Sequence, residues 1–258
     1  MIFLKLGGSL ITDKAHKEQA RLDVIQRLAH EIYQARETNP ELTLILGHGS
    51  GSFGHAPAKQ YGTRLGANTP NDWQGFYEVW AAANRLHRIL LDTLRALGLP
   101  AMSFPPSSSV ITVEGQIVEL AVEPIRSALD KGLLPVVYGD VAFDRTRGST
   151  IVSTEEVLSY LARELHPERI LLAGKEPGVL STSGELLPEL DAEKLAKIRF
   201  HAPDGSDVTG GMEAKVRQAR NLALDLPDLE IIIFGAEQPE TLRDVLLGAT
   251  SGTRILGT

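Results

Sequence analysis

The apolar run Leu42-Thr43-Leu44-Ile45-Leu46 breaks into Gly47-His48-Gly49-Ser50-Gly51-Ser52-Phe53-Gly54-His55, four glycines within nine residues. A buried strand that ends in glycines turns sharply and presents bare backbone N–H groups, which suits an anion and above all a phosphate. The same logic opens the chain, where Ile2-Phe3-Leu4-Lys5-Leu6 runs into Gly7-Gly8-Ser9-Leu10 and Lys14 follows. Two such turns, each with a cationic or ionisable side chain, point to a site that handles more than one phosphate. The first turn has neither the Gly-Lys-Ser/Thr ending of a P-loop nor the G-x-G-x-x-G fingerprint. If the chain binds ATP, another architecture holds it.

Strand-like runs alternate with segments of helical period, the pattern of a parallel sheet covered on both faces. Leu22, Ile25, Leu28, Ala29 and Ile32 recur at helical steps. Asp72 to Leu97 forms a second, aromatic-rich helix, Thr154 to Leu165 a third, and a fourth begins near Gly211. Strands are expected at 100–104, 133–138, 169–173 and 230–234, with a hairpin around Glu114-Gly115. No repeat or long linker divides the chain, so any division is a cleft near residue 150.

With 258 residues, 43% of them hydrophobic, the chain can bury a large core. A net charge of −7 argues against nucleic acid as a partner, because that affinity rests on lysine and arginine. The absence of cysteine excludes disulfides, thiolate metal sites and cysteine nucleophiles. No leader-like segment opens the sequence and no apolar run approaches membrane length, so a cytoplasmic protein with no membrane partner is expected.

Among the polar residues, Lys5 near the end of a buried strand is unusual, since lysine is rarely buried without a partner. Beside Gly7, Gly8 and Lys14 it is best read as facing an anion. His55 is expected to reach a phosphate oxygen while backbone amides hold the others. His48 is expected only to orient the loop. The remaining histidines have no ligand spacing, and most should be solvated. Asp140 ends a strand, where a carboxylate positions a lysine, binds Mg2+ through water, or simply caps a turn or helix. Asp207-Val208-Thr209-Gly210-Gly211 precedes Lys215 at a helix mouth, a further glycine-plus-lysine cluster. Phe76, Val79, Trp80 and Ala83 make a stripe that serves as core, substrate wall or subunit interface.

Taken together, four motifs in order resemble the amino acid kinase superfamily, and within it the isopentenyl phosphate kinases. They are Lys5 through Lys14, His48 through His55, Tyr138-Gly139-Asp140-Val141, and Asp207 through Gly211 with Lys215. The resemblance implies a three-layer αβα sandwich with a mainly parallel central sheet. It further implies an acceptor-binding lobe at 1–150, a nucleotide-binding lobe at 151–258, and a homodimer. The implied reaction moves the γ-phosphoryl group of ATP, with Mg2+, onto isopentenyl phosphate. By position, Lys5, Lys14, His55, Asp140 and Lys215 would be catalytic, with Asp140 holding the lysines in register. Gly8, Ser9, Gly49, Ser50, Gly51, Gly54, Phe76, Val79 and Thr154 would meet the acceptor. Gly7, Lys175, Gly178, Asp207, Thr209, Gly210, Gly211 and Lys215 would meet the nucleotide.

The chain departs from that pattern in three places. Ser50 replaces a glycine of the second turn. Ser153-Thr154-Glu155 stands where the family has Ser-Gly-Asp, and a side chain on Thr154 would crowd an amide near the acceptor phosphate. Gly174-Lys175-Glu176-Pro177-Gly178 loses two carboxylates and gains a lysine near the nucleotide. A related kinase acting on fosfomycin or another small phosphonate, and a non-catalytic nucleotide sensor, are the competing readings.

Overall fold

A computed structural model describes residues 1–198 and 211–257. In chain order its first elements are β1 (Ile2–Leu6), α1 (Gly8–Ile11), β2 (Thr12–Asp13), β3 (Gln19–Ala20) and α2 (Leu22–Thr38). There follow β4 (Leu44–His48), α3 (Gly51–Tyr61), α4 (Pro70–Ala96), β5 (Ala101–Ser103), β6 (Val110–Val113) and β7 (Gln116–Leu120). Next come α5 (Val122–Asp130), β8 (Leu134–Tyr138), β9 (Asp140–Asp144), β10 (Gly148–Val152), α6 (Thr154–Leu165) and β11 (Arg169–Gly174). The last are β12 (Glu189–Leu190), α7 (Ala192–Lys197), α8 (Gly211–Asp225), β13 (Glu230–Gly235), α9 (Thr241–Leu246) and β14 (Thr253–Ile255).

The central sheet runs β12-β14-β13-β11-β1-β4-β8-β5. From β13 to β5 every pairing is parallel, and β14 joins β13 antiparallel. Its two faces read directly from the alternation of side chains along a strand. On one face Leu4, Leu6, Leu44 and Leu46 pack with Ile25, Leu28 and Ile32 of α2 and Leu86 and Leu90 of α4. On the other, Phe3, Ile45 and Val137 pack with Ile125 of α5, Val157 and Leu161 of α6 and Val216 of α8. The molecule is therefore a three-layer α/β structure with a largely parallel sheet.

This alternation decides which way the polar residues at the strand ends face. Lys5 shares the face of Phe3 and looks toward α6 and α8. His48 shares the face of Leu44 and Leu46 and looks toward α4.

A second sheet, β10-β9-β6-β7, flanks the core. The hairpin between β6 and β7 turns at Glu114 and Gly115, both with positive φ (51° and 79°), as the Glu-Gly pair predicts. No helix among the described residues is long and apolar enough to cross a membrane.

Candidate active site

The two glycine turns at the carboxyl ends of β1 and β4 press against each other. A Cβ on Gly8 would lie 2.5 Å from the backbone N of Gly51, and one on Gly49 would lie 2.8 Å from the N of Gly8. Gly51 has φ +49°, and a Cβ there would lie 2.1 Å from Thr12 Oγ1. The contact is fastened by Thr12, whose hydroxyl donates to Gly8 O (2.7 Å) and accepts from Ser52 N (3.0 Å). Gly49 N donates to Leu6 O at 3.0 Å, and Gly7 N to Ala173 O at 2.8 Å. Only glycine permits this approach, so the sequence signal has a steric cause. Ser50 sits at φ −79°, a conformation open to any residue, so its departure from glycine costs no strain.

Above the turns lies a cleft of roughly 690 Å³, open to solvent. Lys5, Gly8, Ser9, Lys14, Gly49, Ser50, Gly51, Gly54, His55, Val79, Thr154 and Lys215, separate in sequence, all line it. Lys5 enters from β1, Lys14 from the segment between β2 and β3, His55 from the second turn of α3, and Lys215 from the second turn of α8. The amino end of α3 also faces the cleft, adding the partial positive charge of a helix N-terminus. Ala58, Val79 and Ile151 make an apolar side to the cleft. They belong with Val141 and Phe76 to one small cluster. Phe76 stands behind that wall, in contact with Trp73 and Phe143, and is not itself among the lining residues. Trp73, Tyr77 and Trp80 of α4 are exposed.

The residue that holds Lys5 is Glu155, in the first turn of α6. The two form an ion pair, with side chains 8% and 13% exposed. Burial pushes the Glu155 carboxyl up, but the Lys5 and Lys215 charges more than offset this and hold it below the usual glutamate range. Sequence reasoning assigned the lysine-positioning task to Asp140, and the structure corrects this. Asp140 does not line the cleft and is 1% exposed. Its carboxylate accepts from Ser107 N (3.1 Å) and Val141 N (2.9 Å), tying β9 to the loop after β5. Burial raises its pKa to about 6 against those hydrogen bonds. The available signal for Glu155 was the Ser153-x-x-Glu156 capping box, which is formed and sets Glu155 at a helix mouth.

Thr154 lines the cleft, and the crowding expected of its side chain does not arise. Its hydroxyl donates to His48 O at 2.6 Å, and its methyl group packs over Gly47. At 1% exposed, its side chain is tucked against β4 while the residue still lines the cleft.

Of the residues expected to meet a nucleotide, Gly211 opens α8 with φ +67°. Lys175 is exposed just past β11, where it is a lesser contributor, after Arg21, to holding Glu237 low. Gly178 is a packing position, since a Cβ there would meet Thr253 Oγ1 at 2.6 Å. Gly7, Lys175, Gly178 and Gly211 do not line the cleft. Asp207, Thr209 and Gly210 lie outside the described residues. Among the described residues no three His, Cys, Asp or Glu side chains gather as a metal site. Among the described residues the one acid lining the cleft, Glu155, is engaged by Lys5. The described residues therefore do not provide a ligand set for a resident cation.

His48 is buried, as expected for a residue that orients the loop, but it has a companion that periodicity alone does not reveal. His87 of α4 is 4% exposed and hydrogen-bonds to His48 at 3.0 Å. Burial lowers both rings, His48 to about 3 with help from His87, and His87 to about 4 with help from Arg88.

A model of the amino acid kinase family matches residues 1–234. The isopentenyl phosphate kinase of Methanocaldococcus jannaschii is 33% identical over 266 residues, covering 99% of this chain and 98% of its own length. That of Methanothermobacter thermautotrophicus is 36% identical, covering 100% of this chain and 99% of its own. A solved structure of an isopentenyl phosphate kinase superposes with a TM-score of 0.84 at 31% identity, covering 99% of each chain. With these relatives aligned over almost their full length, and the family match running from β1 into β13, the chain is a kinase belonging to the amino acid kinase family.

Proposed function

We propose that this kinase transfers the γ-phosphoryl group of ATP, taken up as Mg·ATP, to the phosphate of isopentenyl phosphate, releasing isopentenyl diphosphate and ADP. One observation carries the reading: a single cleft joins Lys5, Lys14, His55, Lys215 and the glycine-turn backbone to the apolar wall of Ala58, Val79 and Ile151. Such a cleft suits an acceptor that is an anion at one end and a short hydrocarbon at the other. The relatives' acceptor, as their names give it, fits that description.

The chemistry follows from the residues. An oxygen of the acceptor phosphate forms the new bond to the γ-phosphorus while the bond to the β–γ bridging oxygen breaks. The leaving charge stays on the terminal phosphate of ADP. The attacking oxygen is already ionised at neutral pH, so no residue need remove a proton. What the protein supplies is alignment and charge neutralisation. His55 and the amides around Ser50 and Gly51 hold the acceptor, Lys5 and Lys215 flank the transferring group, and Lys14 assists from the first loop. Glu155 keeps Lys5 in place without neutralising the whole cluster. In this reading residues 1–150 carry the acceptor and 151–258 the nucleotide, with Gly7, Lys175, Gly178 and Gly211 on the nucleotide side.

The test is ATP-dependent ADP release with isopentenyl phosphate, dimethylallyl phosphate and fosfomycin offered separately. Release with isopentenyl phosphate is expected. Turnover of fosfomycin alone would move the assignment to another acceptor, and none with any acceptor would leave a nucleotide sensor.

A further inference from the structure

A chain of hydrogen bonds runs from the second glycine turn into the layer beneath α4. His48 Nδ1 meets Gly49 O at 3.2 Å, His48 Nε2 meets His87 Nδ1 at 3.0 Å, and His87 Nε2 meets Ser103 Oγ at 2.6 Å. The Tyr138 ring stacks on both imidazoles, with centroids 4.1 Å from His87 and 5.3 Å from His48. Its hydroxyl donates to Asn84 Oδ1 at 3.2 Å.

One proton arrangement satisfies the whole chain. A carbonyl oxygen only accepts, so His48 Nδ1 must donate to Gly49 O. A neutral imidazole has one N–H, so His48 Nε2 accepts, and His87 Nδ1 donates to it. His87 Nε2 is then an acceptor and takes the Ser103 hydroxyl proton. Every donor points toward the glycine turn.

Gly49 and Ser50 are joined by a trans peptide, which directs the Gly49 C=O and the Ser50 N–H to opposite sides. With no Cβ at Gly49, the backbone torsions that a flip of that peptide needs are open to it. A flip would turn a carbonyl oxygen toward whatever anion the cleft holds.

We propose that His87 is a positioning residue for the acceptor phosphate: acting through His48, it holds the Gly49 carbonyl back and keeps the Ser50 amide aimed into the cleft. The identity of the acceptor rests on the proposed function, whereas the orientation of the turn does not.

Two measurements test this on the full chain. Nitrogen-15 NMR at neutral pH should show both His48 and His87 as Nδ1–H tautomers, and an Nε2–H tautomer on either ring would overturn the proposal. In steady-state kinetics, His87→Leu should raise the KM for isopentenyl phosphate about tenfold while the KM for ATP stays within about twofold. His87→Asn keeps a donor near the Nδ1 position and should restore the acceptor KM to within about threefold. Equal behaviour of Leu and Asn, or parallel rises in both KM values, would refute the role.

If His87→Leu does not fold, Ser103→Ala should raise the acceptor KM about threefold by removing the outermost donor, and no change would count against the proposal. If no acceptor is turned over, the functional reading fails on its own. Binding of inorganic phosphate, expected to be about tenfold weaker in His87→Leu than in wild type, then decides the point, and equal binding would overturn it.

Discussion

Lys5 at the end of β1 and Glu155 at the start of α6 form an ion pair across 150 positions of sequence, with both side chains largely buried. Removing the charge from one member of a buried pair typically costs about 3 kcal/mol or more. Glu155→Gln should therefore lower unfolding stability at pH 7 by about 3 kcal/mol. A carboxyl whose folded pKa is depressed gives stability that is present above its unfolded value and lost as pH falls through the folded one. The difference between wild type and Glu155→Gln should accordingly shrink below pH ~4.5. Urea unfolding at pH 7 and pH 4 checks this, and equal stability at pH 7 would contradict the assigned pairing.

Lys215 enters the cleft from the second turn of α8 and is half-buried. If it neutralises charge during transfer, Lys215→Ala should reduce kcat by about 10²–10³ with a small change in melting temperature. A fall in melting temperature that accounts for the activity loss would assign the residue to structure instead.

For His55 the expected signature is selective. Charge-assisted hydrogen bonds are worth about 1.5–3 kcal/mol, so His55→Ala should raise the acceptor KM roughly ten- to a hundredfold. The KM for ATP should be unchanged. Equal rises in the two would remove His55 from the acceptor side.

The buried histidines make stability depend on pH in a defined window. Folded, His48 titrates at about 3 and His87 at about 4, whereas both start from 6.5 when unfolded. Between pH ~6.5 and ~4 the unfolded chain thus binds more protons, and stability falls as pH falls. Two such groups give a slope approaching about 2.7 kcal/mol per pH unit. Chemical unfolding across this range checks it, and a flat profile would show that the rings are not held neutral.

Gly51 combines a left-handed φ with a neighbour 2.1 Å from where its Cβ would be. Gly51→Ala should abolish acceptor use even if the chain folds, because the turn from β1 must move. Activity within tenfold of wild type would mean the two turns tolerate separation.

The features legible in the sequence were those with local causes. The glycine turns announce themselves because φ and close approach leave no alternative residue, and α6 runs over Thr154–Leu165 as its helical period indicates. The Glu114-Gly115 hairpin was legible for the same reason. Glu155 was not legible as the partner of Lys5, because that pairing depends on α6 covering the β1 face, a tertiary fact. His87 was not legible either, because its burial depends on α4 lying over β4, another tertiary fact. Asp140 stood at a strand end in sequence, but in space its partner is the Ser107 amide. Thr154 looked like a steric obstacle because its direction, toward the His48 carbonyl, is set by the packing of α6 on Gly47.

The floor of the cleft is built from main-chain atoms of Gly8, Gly49 and Gly51, which no substitution can recolour without displacing the turns themselves. On the proposed reading, variation among acceptors falls to the apolar side of the cleft, Ala58, Val79 and Ile151. A lineage could then exchange one hydrocarbon tail for another by altering those side chains, while its grip on the charged head stays in the main chain.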